Sequence, residues 1–363
     1  MLPAGTRNRL TFLDWLRGIA GIIMLQGHAF HSFLKADLRG GAAYMFSQFF
    51  GGMPPAIFLF LTGVTLSFLM FSFERKGVPI SSRIAGTLRR AGYLFGIAML
   101  LRLQLWLFSW PSPWTNMLKV DILNCMGFGI ALVSVMAVFT TAQRVKLCAA
   151  LGLAIAALSP LVSQLDWSPV PALVKAYIVP DYNSFSFFPW AAYLAFGMSA
   201  GSLIRLVKHD QYDRVMQWAV ILGIALILAA RYFANLPFSI YAQSEFWLDS
   251  PAQVLIKLGV TLLILAVAYV WTEYGAAPGW SWVRQFGTTS LLVYWVHIEL
   301  VYGRWLPWCK NHLDVPQTIL AAGILIVLML MLAVVKTNRR AIVDHVRGWR
   351  VGVEAKPDRI AAD

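Results

Sequence analysis

Ten stretches of about 20 mostly apolar residues, at 12–34, 50–72, 86–108, 118–140, 145–164, 184–206, 215–234, 251–272, 287–305 and 315–336, leave this chain few ways to fold. A segment of that length and polarity crosses the hydrocarbon of a bilayer as a helix. A membrane interior accepts only structures whose backbone polar groups are bonded internally. The sequence therefore predicts an all-α integral membrane protein, a polytopic bundle of about ten transmembrane helices. Composition agrees: 59% of the 363 residues are hydrophobic and 13% are charged, against about 25% charged in soluble domains. An even number of crossings puts both termini on one side.

The net charge of +13 raises the question of nucleic acid. The distribution answers it. With the N-terminus inside, the inner segments carry 20 Lys and Arg and the outer loops carry seven. That is the positive-inside pattern, which makes both termini cytoplasmic and needs a lipid bilayer rather than a nucleic-acid partner. Residues 1–340 read as one transmembrane domain and 341–363 as a cytoplasmic tail at the anionic inner leaflet. The first apolar run is too long and too charged for a cleaved signal peptide. Cys125, Cys148 and Cys309 have no metal-ligand spacing, so packing roles are expected and no metal.

Helix one departs from a simple span because it contains Asp14, Arg17, His28 and His31. Ionisable groups inside a membrane are costly and usually face a bundle interior or a wet cavity. At 100° per residue Asp14, Arg17, Gly21, Met24 and His28 share one stripe, with His31 at its edge. A neutral imidazole is well matched to taking a proton from a hydroxyl or amine near pH 7, so His28 leads the candidates. Arg17 lies eleven residues away, roughly 16 Å along the helix, and serves a different part of any long ligand.

Further candidates lie elsewhere. Arg83, Arg89 and Arg90 sit at the inner end of helix three, either anchoring it or holding phosphate through guanidinium forks. Asp121 and Asn124 share a face at the start of helix four; Asp121 orients His28, binds an acceptor, or pairs with Lys119 or Arg102. Ser290, Tyr294 and His297 form a stripe on helix nine, and His297 either faces the cavity of His28 or makes a structural bond. Small residues in helix two and Gly197/Gly201 in helix six read as close packing. Outer-loop aromatics form an interfacial belt or a platform for sugar rings.

The segments RLTFLDWLRGIAGIIMLQGH, FLFLTGV, VDILNCMG, FPWAAYLAFGMSAG and FGTTSLLVYWVHIELVYG follow in this order. Together they resemble bacterial relatives of heparan-α-glucosaminide N-acetyltransferase, within the transmembrane acyltransferase superfamily that includes the acyltransferase-3 enzymes. The resemblance runs from about residue 8 to about 305. It implies transfer of an acyl group, most simply acetyl, from cytoplasmic acetyl-CoA or another acyl-CoA. The acceptor it implies is a glycan or amino sugar on the far side of a bacterial inner membrane. The superfamily histidine near the end of helix one falls on His28, and the CoA-holding arginines fall among Arg83, Arg89 and Arg90. Here the cluster reads RIAGTLRR rather than Arg-x-x-Arg. The animal lysosomal enzyme has asparagine near the His28 position, which brings in His31 as an alternative base.

On this reading His28, Asp121 and His297 are catalytic, and Arg17, Arg83, Arg89 and Arg90 hold the donor. Asn124, His31, Tyr294 and Trp190 line the acceptor, and a homodimer stays open. The competing reading is a proton-coupled secondary transporter of a small glycan or organic acid, using Asp14, His28 and His297 as a relay.

Overall fold

Each of the ten apolar stretches forms helix in the computed structural model, which describes residues 10–275 and 279–339. In chain order the helices are α1 (Thr11–Phe33), α2 (Ala42–Gly51), α3 (Pro54–Arg75), α4 (Ile80–Phe108), α5 (Ile122–Val133), α6 (Thr141–Gln164) and α7 (Ala172–Ile178). They continue with α8 (Phe187–Leu206), α9 (Tyr212–Ala234), α10 (Pro251–Val270), α11 (Trp282–Thr288), α12 (Ser290–Tyr302) and α13 (Val315–Thr337). Among the described residues there is no β-strand, and seven spans are long and apolar enough to cross a membrane. The protein is an all-α polytopic membrane protein. The expected tail at 341–363 and the basic residues Arg7 and Arg9 lie outside the described residues.

The helices run back and forth between two ends. The end where α1 begins and α13 finishes is termed proximal, and the end where α1 finishes is distal. Helix boundaries depart from the apolar stretches where local chemistry intervenes. The segment at 35–49, expected as loop, enters helix α2, which ends at Gly51; Pro54 and Pro55 then start α3, since proline fits the first helical positions. The fourth stretch becomes helical only at Ile122, because Asp121 caps it, and it tightens to a 3-10 turn over Ser134–Val138. The ninth is broken at Thr289 (φ −121°, ψ 17°), leaving α12 with 13 residues, about 20 Å.

Close helix pairs hold the bundle, two of them at the site. A Cβ on Gly63 would overlap the Leu194 carbonyl, and one on Gly197 would overlap the Phe60 carbonyl, so α3 and α8 touch backbone to backbone. Likewise a Cβ on Gly18 would overlap the Val283 carbonyl and one on Gly287 that of Asp14, which seats α11 against the start of α1. At the proximal end Glu74 accepts from the Thr141 amide at 3.0 Å and pairs with the buried Arg144 at 3.0 Å, tying α3 to α6. At the distal end Ser32 Oγ donates to the Val301 carbonyl at 2.8 Å. Reciprocal backbone bonds there join Leu313 to Phe33 and Lys35, both at 3.0 Å. Helices α1 and α12 are thereby fixed side by side.

Candidate functional site

The stripe on α1 and the stripe on α12 meet. Nδ1 of His28 lies 2.9 Å from Nε2 of His297, with the two rings nearly parallel at 18° and 5.1 Å between centroids. His297 is fully buried, and its Nδ1 lies 2.8 Å from the carbonyl oxygen of Val293, one turn back on its own helix. Tyrosines flank the pair: Tyr294 stands edge-on to His297 at 5.7 Å, and Tyr302 edge-on to His28 at 5.3 Å. The Tyr302 hydroxyl is 3.3 Å from Nδ1 of His31, which is exposed at the distal end.

A cavity of about 900 Å³ lies on the proximal side of this pair, between α1, α3, α4, α5, the end of α11, α12 and the end of α13. Its volume is in the range of small-molecule sites. The proximal part is basic, with Arg17, Arg90 and Lys336 on three different helices. Thr62, Thr65, Thr288, Thr289 and Ser290 add hydroxyls. The first turn of α12 also lines it, and a helix N-terminus presents amide donors and partial positive charge. The inner part is apolar and aromatic, with Phe58, Leu123, Met126 and Trp295, and Tyr294 stands in the wall. Tyr294 thus borders both the cavity and the histidine pair.

The structure sorts the residues singled out in the sequence. Arg17, Arg90 and Tyr294 line the cavity, and Tyr294 touches His297, which in turn meets His28. Arg17 bonds Asp14 at 3.1 Å, and the Arg90 guanidinium reaches Thr65 Oγ1 at 3.4 Å. Arg83 and Arg89 do not line the cavity: Arg83 Nε donates to the Val78 carbonyl at 2.6 Å, closing the turn before α4, and Arg89 is exposed. The three arginines expected as one cluster therefore divide, because α4 turns 100° per residue and shows the cavity one of them.

Asp121 and Asn124 are engaged in holding α5. Asp121 Oδ1 accepts from the amides of Leu123 and Asn124 at 3.0 and 3.1 Å, and its other oxygen pairs with Arg102 at 3.2 Å. Asn124 Oδ1 accepts from the Asp121 amide at 3.3 Å, and its Nδ2 donates to the Tyr177 hydroxyl at 3.1 Å. Burial pushes the Tyr177 phenol above its ordinary range, so it stays a neutral partner. The imidazole partner of His28 is accordingly His297 rather than Asp121. Trp190 belongs to a distal aromatic group with Phe185 and Tyr193, its face covered by Lys257 Nζ at 5.0 Å, a cation–π contact. His31 faces out beside Tyr302.

Lys336, Thr65 and Trp295 line the cavity although none is a site candidate in the sequence, where Thr65 belongs to the small residues of helix two that read as packing. Lys336 appeared there as one of many inner-side basic residues, and nothing in its spacing marks it. Its position follows from α13 packing against α11, where Gln285 Nε2 donates to the Ala333 carbonyl and to Thr337 Oγ1 at 2.9 and 2.8 Å. Cys125, Cys148 and Cys309 are free thiols, and the close contacts of Gly197 and Gly201 match their packing role.

Residues 9–237 match the family model described as heparan-alpha-glucosaminide N-acetyltransferase, catalytic. No curated protein matches the chain. The matched stretch takes in α1 to α9 and leaves out α10 to α13, which carry Tyr294, His297 and Lys336.

Proposed function

The chain belongs to the heparan-alpha-glucosaminide N-acetyltransferase catalytic family, and from that we propose an acyl-CoA-dependent transmembrane acetyltransferase that works across a bacterial inner membrane. The family makes it a transmembrane acetyltransferase in kind. The donor, the sidedness and the residue roles are our reading of the site.

The observation that carries this reading is the order of the site: a cavity with basic residues in its proximal part, Tyr294 in its wall, and the paired imidazoles beyond Tyr294. Arg17, Arg90 and Lys336 suit the phosphates of CoA, since guanidinium and ammonium groups make charge-assisted bonds to phosphate oxygens. The apolar walls beyond suit the pantetheine arm and thioester. The proximal end would face the cytoplasm, where acyl-CoA is found, consistent with the inner-side excess of Lys and Arg. The acceptor, an amine or hydroxyl of a glycan or amino sugar, would approach from the distal end beside His28. His28 would take the acceptor proton as the new N–C or O–C bond forms at the thioester carbonyl. The C–S bond then breaks, and the thiolate leaves as CoA after receiving a proton.

The test is direct. Purified protein is supplied with acetyl-CoA and an amino-sugar acceptor, and free thiol and acetylated sugar are measured together. His28→Ala is expected to abolish transfer while leaving CoA binding intact. Normal turnover by that variant would remove His28 from the reaction. A protein that ignored acetyl-CoA but moved a solute into liposomes under a pH gradient would be a transporter.

A further inference from the structure

We propose that His297 is a positioning residue that fixes the tautomer of His28, leaving Nε2 of His28 as the nitrogen of the pair that meets the acceptor. This deepens the reading above and rests on it for the identity of the reaction. His297 lies outside the residues that match the family, so its role is read from this structure alone.

The argument follows the protons. A carbonyl oxygen can only accept, so the 2.8 Å contact between His297 Nδ1 and the Val293 carbonyl places a hydrogen on Nδ1. A neutral imidazole has one such hydrogen, and Nε2 of His297 is therefore a lone pair. That lone pair lies 2.9 Å from Nδ1 of His28, so His28 Nδ1 is the donor. Nε2 of His28 then holds the free lone pair of the uncharged pair. No other assignment of two neutral rings satisfies both contacts.

Both nitrogens of His297 are consumed, and the ring is fully buried. His297 therefore does not touch the acceptor; it acts through His28. The arrangement parallels the carboxylate that holds the base histidine of serine proteases in the correct tautomer, with a neutral ring anchored by a backbone carbonyl in its place. Tyr294 and Tyr302 confine the rings, and the Ser32–Val301 bond one turn beyond the pair holds α1 and α12 in register.

The test uses the full-length protein in lipid nanodiscs with histidine labelled by ¹⁵N, together with acetyl-transfer kinetics. In the wild type the His28 resonances are expected to report a hydrogen on Nδ1. His297→Phe fills the space but removes the acceptor, so His28 should populate both tautomers. kcat should then fall by about 10²- to 10⁴-fold, with the KM for acetyl-CoA nearly unchanged. His297→Gln can donate to Val293 and accept from His28, and should recover a large part of the lost kcat and the wild-type tautomer. A hydrogen on Nε2 of His28 in the wild type would overturn the proposal. So would equal kcat for the Phe and Gln variants. If no acceptor is acetylated at all, the reaction assignment fails, and the tautomer measurement still decides the role of His297.

Discussion

Arg102 on α4 reaches across to Asp121 at the cap of α5, Nε to Oδ2 at 3.2 Å, and holds the distal ends of these two helices together. The same carboxylate closes the first turn of α5, so one side chain serves a cap and a cross-link. Arg102→Met leaves Asp121 buried without its partner. The expected loss is about 3 kcal/mol, the lower end for breaking a buried pair, because Arg102 keeps a fifth of its side chain exposed. Asp121→Asn preserves the cap and should cost less than Asp121→Ala, which also forfeits about 1 kcal/mol of capping. Thermal unfolding in detergent ranks the three. Total activity should follow the folded fraction with kcat per folded molecule unchanged, and a specific collapse of kcat in Asp121→Asn would return Asp121 to the chemistry.

The basic mouth predicts a split among the arginines. Arg90→Gln and Lys336→Gln should each raise the KM for acetyl-CoA by about 10-fold or more, the scale of one charge-assisted hydrogen bond, with kcat little changed. Arg83→Gln and Arg89→Gln should bind donor as the wild type does. A titration of CoA against the four variants checks this. An equal weakening in all four would mean that surface charge, not the cavity, attracts the donor.

Tyr294 borders both the cavity and the imidazole pair. Tyr294→Ala should enlarge the space between them and raise hydrolysis of acetyl-CoA in the absence of acceptor. Tyr294→Phe keeps the ring and should not. The measurement is thiol release without sugar, and a low background in the Ala variant would show that something else seals the cavity.

The glycines divide by what surrounds them. Gly287→Ala and Gly18→Ala place a methyl group on a backbone carbonyl and should cost at least about 1–3 kcal/mol by overpacking. Gly21→Ala and Gly92→Ala meet nothing within 4 Å. They should be neutral or stabilising by roughly 0.5–1 kcal/mol through helix propensity. Melting temperatures of the four distinguish the classes.

The spans were legible because twenty apolar residues have one economical structure in lipid. Their interruptions were not. Asp121 before Ile-Leu-Asn carries the ordinary signature of a helix start, but a buried carboxylate is the same residue type whether it caps or catalyses. His28 was marked by its cost in hydrocarbon. Its partner could not be derived, since His28 and His297 are 269 residues apart and their meeting depends on how far α1 and α12 rotate about their own axes. That rotation is set by Gly18, Gly287 and the Ser32–Val301 bond, whose effects appear only once the helices are packed. Arg90 and Arg89 show the same limit: adjacent in sequence, they are separated by helical phase.

The backbone contact of α1 with α11 has a mechanical consequence. With no side chain between them, these helices cannot slide without a steric clash, and α12 is tied to α1 at the other end. One wall of the cavity is thus a stiff plate that carries Arg17 and Tyr294, with both imidazoles on the same two helices beyond it. The opposite wall is α4, which buries only Thr87, Ala91, Ala98 and Leu101 along 29 residues. The two walls therefore differ in how they are held: one by backbone contact, the other by four buried side chains.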